Sequence, residues 1–342
     1  MGLEAIEVRR AAASRQKAPR VPVDKLTARR VELAEAALET LGELGYARTS
    51  LREIAQNSAF THGVFHYYFA DKNDLICFCV RHYKAKCVKR YDQVVATARD
   101  PATLSDIAKA FPKTARTTAL DVTKAGAREK AVALAMDAFG RLDVPVNNAG
   151  FGFIGAIEEA TPEEYRPMFE TNIIGLLETT RAALPALRKT GAGGRIVNMS
   201  SGAGIQSMQG SGHYNATKFA VEGISEALAQ EVAPFGIAVI IVEPGPFRTD
   251  FLGRSISLAK KEMPEYAKTA GVFRTFRANN DGKQIGDPNK AVKVILKAVD
   301  SERPPLHMPL GARAYALART KIAEFTQDLD AWEAVAKATD YE

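Results

Sequence analysis

Tyr214 and Lys218 stand four residues apart at the head of a long apolar-periodic segment. That spacing sets both side chains on one face of a helix, where an ammonium can lie beside a phenol. A free tyrosine titrates near pH ~10, too high for acid–base work at neutral pH. A neighbouring cation favours the phenolate and lowers that value. The pair is therefore suited to moving a proton on or off the oxygen of an alcohol or carbonyl. Upstream, Ile196-Val197 ending in Ser200-Ser201 reads as a buried strand that delivers polar residues to a sheet edge. A Tyr-x-x-x-Lys spacing alone also fits a solvated helix face, so the surrounding chain has to decide.

The elements around these residues alternate. Val94–Arg99 is a β-rich run without helical period, and Asp100-Pro101 opens a helix. Thr117–Thr123 reads as a strand, Ala125–Gly140 as a helix, Leu142–Gly150 as a strand and Pro162–Lys189 as a helix. Ile237–Gly245 is a strand after the Tyr214 helix, and Leu306–Gly311 would be the last one. Strands alternating with helices predict an α/β fold with a doubly wound parallel sheet.

Several motifs recur in order along this part: Asp121-Val122, Asn147-Asn148-Ala149-Gly150, Asn172, Ser201, Tyr214, Lys218, Pro244-Gly245 and Thr249. Together they resemble the short-chain dehydrogenase/reductase family from Val94 to about residue 332. The resemblance implies a Rossmann-like sheet and a catalytic set of Asn172, Ser201, Tyr214 and Lys218. Tyr214 would exchange the proton and Ser201 would donate a hydrogen bond to the developing oxyanion. Lys218 would also bind the nicotinamide ribose, and Asn172 would hold a relay water. Asp121 would bond the adenine edge, with Val122 beside it. Asn148, Ala149 and Gly150 would let backbone approach the cofactor closely, and Thr249, after Pro244-Gly245, would contact carboxamide or pyrophosphate. Arg99, at a strand's carboxyl end, fits a ribose 2′-phosphate by bidentate pairing, so NADP is favoured and NAD is the alternative. No metal site is expected.

The chain departs from this family at its start. The family's first strand and its TGxxxGxG turn, whose amides hold pyrophosphate at a helix N-terminus, have no counterpart before Arg99. The expected sheet therefore lacks its first strand, leaving two neighbours with unpaired edges. Pro145 borders that slot, where its missing donor matters less than inside a sheet. Gly150-x-Gly152-x-x-Gly155 reads as a loop over the nicotinamide, because no helix starts before Thr161-Pro162.

A different segment occupies the front. Residues 1–24 carry Arg, Ala and Pro without apolar periodicity and read as a basic disordered arm. From Thr27 the pattern is helical until Gly45; Thr49 or Ser50 caps a second helix, with Glu53 closing a capping box. A third helix spans Thr61–Phe69, and Asp71 caps a fourth, a helix-turn-helix layout. Gly45-Tyr46, Ile54-Ala55, Gly63, Tyr67, Phe69, Lys72 and Leu75 resemble the tetracycline-repressor family of DNA-binding domains, over roughly residues 27–84. The resemblance implies that Thr49, Thr61, His62, Gly63, His66, Tyr67, Tyr68 and Lys72 meet DNA. Asn57-Ser58 and His66 depart from the family's preferences, and its C-terminal helical domain is absent. The expected domains are 1–24, 25–93 and 94–342.

Charge divides in the same way. Residues 1–99 hold 17 Lys and Arg against 11 Asp and Glu, whereas residues 100–342 hold 29 of each. A basic front on a neutral body points to a polyanion, here double-stranded DNA through residues 25–90. Cys77, Cys79 and Cys87 lie in one helical segment with no zinc spacing. With no run of 18 apolar residues, no membrane partner is expected and the cytoplasm is the default location. Three readings follow: an oxidoreductase acting on a small carbonyl or alcohol, a DNA-binding regulator with a dehydrogenase-like sensor, and an inactive fusion. A homo-oligomer is expected for the first two.

Overall fold

The computed structural model describes residues 25–44, 50–70, 75, 93–191 and 193–341. The chain divides into two compact units, Met1–His82 and Tyr83–Glu342. Thr49, Lys72, the arm of residues 1–24, the Gly45 stop, the Asp71 cap and all three cysteines lie outside the described residues.

The first unit contains α1 (Lys25–Leu44), α2 (Leu51–Gln56) and α3 (His62–Tyr68). Ser50 starts α2: its Oγ accepts the Glu53 N–H at 3.2 Å, and the Glu53 carboxylate accepts the Ser50 N–H at 2.6 Å. That reciprocal pair satisfies two of the donors a helix start leaves open. Leu33, Ala37, Leu51, Ile54, Phe65 and Phe69 close into one apolar cluster. The Arg29 guanidinium lies 4.8 Å above the Phe60 ring, a cation–π contact.

The second unit is an α/β fold. β1 (Val94–Ala98) leads through a 3₁₀ turn (Pro101–Leu104) and α4 (Ser105–Ala110) to β2 (Ala115–Ala119). Asp100 opens that turn as its sequence position predicts, accepting the Ala102 N–H at 2.9 Å. α5 (Ala127–Phe139) runs between two left-handed glycines, Gly126 and Gly140, and leads to β3 (Val146–Asn147) and β4 (Gly152–Ile154). α6 (Pro162–Phe169), a π-helical turn (Glu170–Gly175) and α7 (Leu176–Thr190) follow, then β5 (Arg195–Met199), α8 (Gly202–Ile205) and α9 (Gly212–Val232). β6 (Ala238–Pro244), β7 (Ile256–Leu258), α10 (Ala270–Asn280), α11 (Pro288–Val299), β8 (His307–Leu310) and α12 (Ala312–Lys337) complete it.

All the pairings are parallel, in the orders β1-β2, β3-β5-β6-β8 and β4-β7. β6 is buried on both sides, as a near-continuous apolar run requires. Ile240 and Val242 pack with Val299 of α11, while Val239 packs with Leu187 of α7 and Leu228 of α9. That is a doubly wound sheet.

Three expectations need correction. The strand read as Thr117–Thr123 is Ala115–Ala119, and Asp121 lies in the turn beyond it. The Leu142–Gly150 strand is paired as a strand only at Val146–Asn147. β5 bonds it from one side, through Arg195 N–H to Asp143 O at 2.9 Å and Val197 N–H to Pro145 O at 3.0 Å. Among the described residues no strand pairs with the other edge of β1 or of β3, and Val146 is 55% exposed. The edge of β3 away from β5 is thus unpaired among the described residues, and its ladder with β5 spans only Val146–Asn147. Finally, the Gly150–Gly155 run is not all loop: Gly152–Ile154 pairs with Ile256–Leu258. A Cβ at Gly152 would come within 3.0 Å of the Ile256 side chain, so glycine permits that close approach.

No helix among the described residues is long and apolar enough to cross a membrane.

Candidate active site

Tyr214 and Lys218 occupy successive turns of α9, both buried. The Lys218 Nζ lies 5.8 Å from the centroid of the Tyr214 ring and donates to the Met199 carbonyl at 2.8 Å, at the end of β5. Ser201 follows β5 as the N-cap of α8, its Oγ accepting the Ala203 N–H at 3.1 Å. Its hydroxyl is also hydrogen-bonded to the Tyr214 phenol.

Burial dominates the electrostatics here. It pushes the Tyr214 phenol up to about 12, against the downward pull of the Ser201 hydrogen bond. It pushes Lys218 down to about 8, with Glu222 pulling the other way. The phenol is thus raised, opposite to what a neighbouring lysine predicts. The reason is desolvation of both groups, since a charge taken from water loses more than a distant partner returns.

Asn172 sits in the π-helical turn, buried. Such turns expose backbone groups and recur at functional sites. Its Nδ2 donates to the Phe151 carbonyl at 2.9 Å and to Thr217 Oγ1 at 3.1 Å, and its Oδ1 accepts the Phe151 N–H at 3.1 Å. Its side chain is therefore committed to protein atoms. It clamps the segment after Gly150 onto α9. A Cβ at Gly150 would lie 3.0 Å from Asn172 Oδ1 and 3.8 Å from Lys218 Nζ.

Beneath this set runs a buried polar chain with no counterpart among the sequence expectations. Asn147 Nδ2 donates to Thr180 Oγ1 and to Asn198 Oδ1, both at 2.8 Å, and Asn198 Nδ2 donates to Ser225 Oγ at 2.8 Å. It ties β3 and β5 to α7 and α9 and fixes where the exposed Asn148-Ala149-Gly150 segment emerges. The polar residues inside otherwise apolar strands are the signal that could have found it.

The remaining predicted cofactor residues lie around the strands' carboxyl ends. Arg99 is exposed at the end of β1. Asp121 accepts the Thr123 hydroxyl at 2.7 Å and the Thr123 N–H at 2.9 Å. These bonds, with Lys124 and Arg99 nearby, hold its carboxyl below the usual range. Val122 is buried against the π-helical turn; a Cβ at Gly175 would come within 2.6 Å of it. Pro244 ends β6, the Gly245 N–H donates to the Leu310 carbonyl at 2.9 Å, and Thr249 is exposed two residues from Phe251. The Phe251 ring lies 5.7 Å from that of Tyr214, an apolar wall the sequence did not single out.

Two ionic clusters brace the site. Burial alone would raise the Glu159 carboxyl, but Arg274 and the N–H groups of Met263 and Ala156 hold it down at about 2. Arg274 Nη2 reaches Glu159 Oε2 at 2.6 Å, so α10 is pinned to the segment after β4. Behind Lys218, Ser200 bonds Glu222, and Glu222, Glu243 and His307 bring ligand-type atoms within 4.8 Å of one another. They serve one another: His307 Nδ1 lies 3.0 Å from Glu243 and 3.5 Å from Glu222. Burial would lower His307, but these carboxylates raise it.

In the first unit, Thr61, His62, Gly63, His66 and Tyr67 are exposed on α3 while Phe65 faces the core; Tyr68 is half-buried. Tyr67 is 78% exposed. The predicted nucleic-acid face is thus one surface of one helix, apart from Thr49 and Lys72.

A nicotinamide cofactor fits one end of this arrangement better than its middle. The glycine at 150, the exposed Asn148–Gly150 backbone and the Lys218 ammonium form a close-approach surface beside Tyr214. Arg99, Lys124 and Asp121 gather beyond the carboxyl ends of β1 and β2. Among the described residues, no glycine-rich strand-to-helix turn serves a pyrophosphate between them.

Residues 82–258 match the family model described as short chain dehydrogenase, and residues 33–76 match that of bacterial regulatory proteins, tetR family. An oxidoreductase of Botryotinia fuckeliana, BOA17, is 33% identical over 249 residues, covering 72% of this chain and 90% of its own length. A crystal structure of a short-chain dehydrogenase from Streptomyces avermitilis is 40% identical, with a TM-score of 0.69, over 76% of this chain and 95% of that one. A short-chain dehydrogenase/reductase from Burkholderia phymatum, in complex with NAD, shares the fold at 18% identity, with a TM-score of 0.62 over 72% and 90% of the two chains.

Proposed function

The chain belongs to the short-chain dehydrogenase family, and from this premise we propose that residues 94–342 interconvert a carbonyl and an alcohol, with NADP as the preferred cofactor. One observation carries the reading: a buried tyrosine hydrogen-bonded to Ser201, with a buried lysine on the same helix face.

The bound nicotinamide would supply or accept the hydride; the rest is work for this chain. Tyr214 gives its proton to the carbonyl oxygen as negative charge develops there. With its pKa near 12 the phenol is fully protonated at neutral pH, the state that reduction needs. Ser201 turns its hydroxyl to the same oxygen, a donor already oriented because its Oγ is fixed by the Ala203 N–H. Lys218, near 8, is the stronger acid of the buried pair, so a tyrosinate left beside it is reprotonated downhill. Met199 takes one of the three ammonium hydrogens, and the other two suit ribose hydroxyls. Asn172 holds Phe151 and with it the Asn148–Gly150 approach. Phe251 and Phe153 give the substrate side an apolar character.

Arg99 supports the preference for NADP, because a guanidinium at a strand's carboxyl end pairs bidentately with a 2′-phosphate. Arg99→Ala should raise the Kd for NADPH about tenfold and leave that for NADH unchanged, an exposed charge-assisted contact being worth ~1–2 kcal/mol. Equal loss for both cofactors, or none for either, would remove Arg99 from this role.

A second reading concerns residues 25–90 and is favoured by the exposed α3 face together with the tetR-family match. These residues bind double-stranded DNA. Binding carried by phosphate contacts should weaken about 10³-fold between about 50 and 200 mM salt. A mobility shift on DNA flanking the protein's own gene tests it, and no retarded band at the lower salt would sink it.

A further inference from the structure

The last helix leaves an apolar seam uncovered. α12 begins against the protein: Ala314 is buried, and Leu317 packs so close to Gly202 of α8 that a Cβ there would lie 3.2 Å from it. From Arg319 to Lys337 every residue is exposed. Along that stretch Ile322, Phe325, Leu329 and Trp332 are each 54–66% exposed. Their spacing of three, four and three is the a/d pattern of a heptad, with Ala318 and Ala336 extending it at either end. A strict a/d seam is the narrow stripe by which one helix packs along another of its kind, whereas a helix lying on a globular core shows a wider apolar face.

Charge selects the occupant. Of the positions flanking the seam, Arg319 and Lys321 are basic in the first half and Asp328 and Glu333 acidic in the second, while Thr326 and Val335 are uncharged. A second α12 running antiparallel sets the basic half of each copy against the acidic half of the other. A parallel one sets like against like, Asp328 facing Glu333. A membrane surface is a poorer match. Over Ala312–Lys337 four basic and four acidic residues balance, and interfacial helices carry a predominantly basic polar face.

We propose that the Ile322/Phe325/Leu329/Trp332 seam is a self-association surface, pairing antiparallel with the same seam of a second copy about a two-fold axis. The contact is isologous and closes, and in forming it each copy covers the other's large apolar side chains.

Sedimentation equilibrium on the full chain tests this. The double variant Phe325→Glu/Trp332→Glu should halve the assembly mass at micromolar concentration while the far-UV circular dichroism stays unchanged, since both side chains are exposed in the isolated chain. A second variant keeps the test sharp if the first folds poorly. Asp328→Lys/Glu333→Lys should weaken association about tenfold, four exposed pairs contributing a few tenths of a kcal/mol each. Adding Arg319→Glu/Lys321→Glu should restore it. An assembly mass unchanged by the apolar variant, a wild-type monomer at tens of micromolar, or tighter association on reversing the acidic half alone would each overturn the proposal.

Discussion

Tyr214→Phe should lower kcat for carbonyl reduction about 10³-fold, the scale of a lost general acid, while NADPH affinity stays within twofold. In the proposed mechanism the phenol hydroxyl is the one group on α9 that meets the reacting oxygen. Its removal deletes a single atom from a buried position, so neither the Phe251 contact nor the Lys218 bond to Met199 is disturbed. Stability should change little: the hydroxyl loses its Ser201 partner, but a desolvated polar group goes with it. Stopped-flow turnover beside cofactor titration measures both halves. A variant that keeps kcat within tenfold would show that the proton comes from elsewhere. A variant that loses cofactor affinity in parallel would mean that Tyr214 acts in binding.

Lys218→Met has the opposite signature, losing activity while gaining stability. The ammonium is buried and its pKa falls from 10.5 to about 8, so at pH 7 the folded state carries a charge that burial disfavours. A shift of that size corresponds to about 3 kcal/mol. Because the folded pKa is the lower one, the cost is fully present below about pH 8. Between there and the unfolded pKa near 10.5 the unfolded chain holds the extra proton, and stability rises with pH. Methionine fills the same channel without the charge, but it leaves the Met199 carbonyl without its partner, which costs about 1 kcal/mol. The variant should therefore be more stable by about 1–2 kcal/mol at pH 7, with the gap narrowing as pH approaches 10. Urea midpoints at the two pH values check this. A destabilised variant at pH 7, or a gap that widens with pH, would contradict the assignment of the shift to burial. The same substitution should abolish turnover, which makes the lysine a functional group carried at the expense of the fold.

The chemistry-bearing residues are legible in the chain because they need only local rules to be placed. Tyr214 and Lys218 share a helix face by spacing, Ser201 follows a recognisable buried strand, and Ser50 with Glu53 marks a helix start that the structure reproduces. The alternation of strands and helices likewise gives the doubly wound sheet. What escapes is whatever depends on tertiary neighbours. The π-helical turn at Asn172 lies inside a segment whose pattern is simply helical; its side chain's bonds to Phe151 and Thr217 decide its role. The β4–β7 pairing joins residues about a hundred positions apart, and no local pattern marks it. The direction of the Tyr214 shift depends on how much water the fold removes, which spacing does not reveal. β3 is shorter than its sequence pattern because register and length are set by a partner strand, and on one side the described chain offers none.

That open edge of β3 bears on how a cofactor is held. Among the described residues Ser201, Tyr214, Lys218 and Asn172 are brought together, Arg99 and Asp121 lie near one another beyond β1 and β2, and no glycine-rich strand-to-helix turn lies between the two groups. On the proposed reading these two groups of residues hold the cofactor. Titration of NADPH into the purified full chain, followed by calorimetry, tests this most directly. Saturable one-to-one binding is expected, with a Kd of about 10⁻⁴ M or tighter, roughly −5.5 kcal/mol or better. No heat of binding at millimolar NADPH would contradict it and remove hydride transfer as the work of the Tyr214 site.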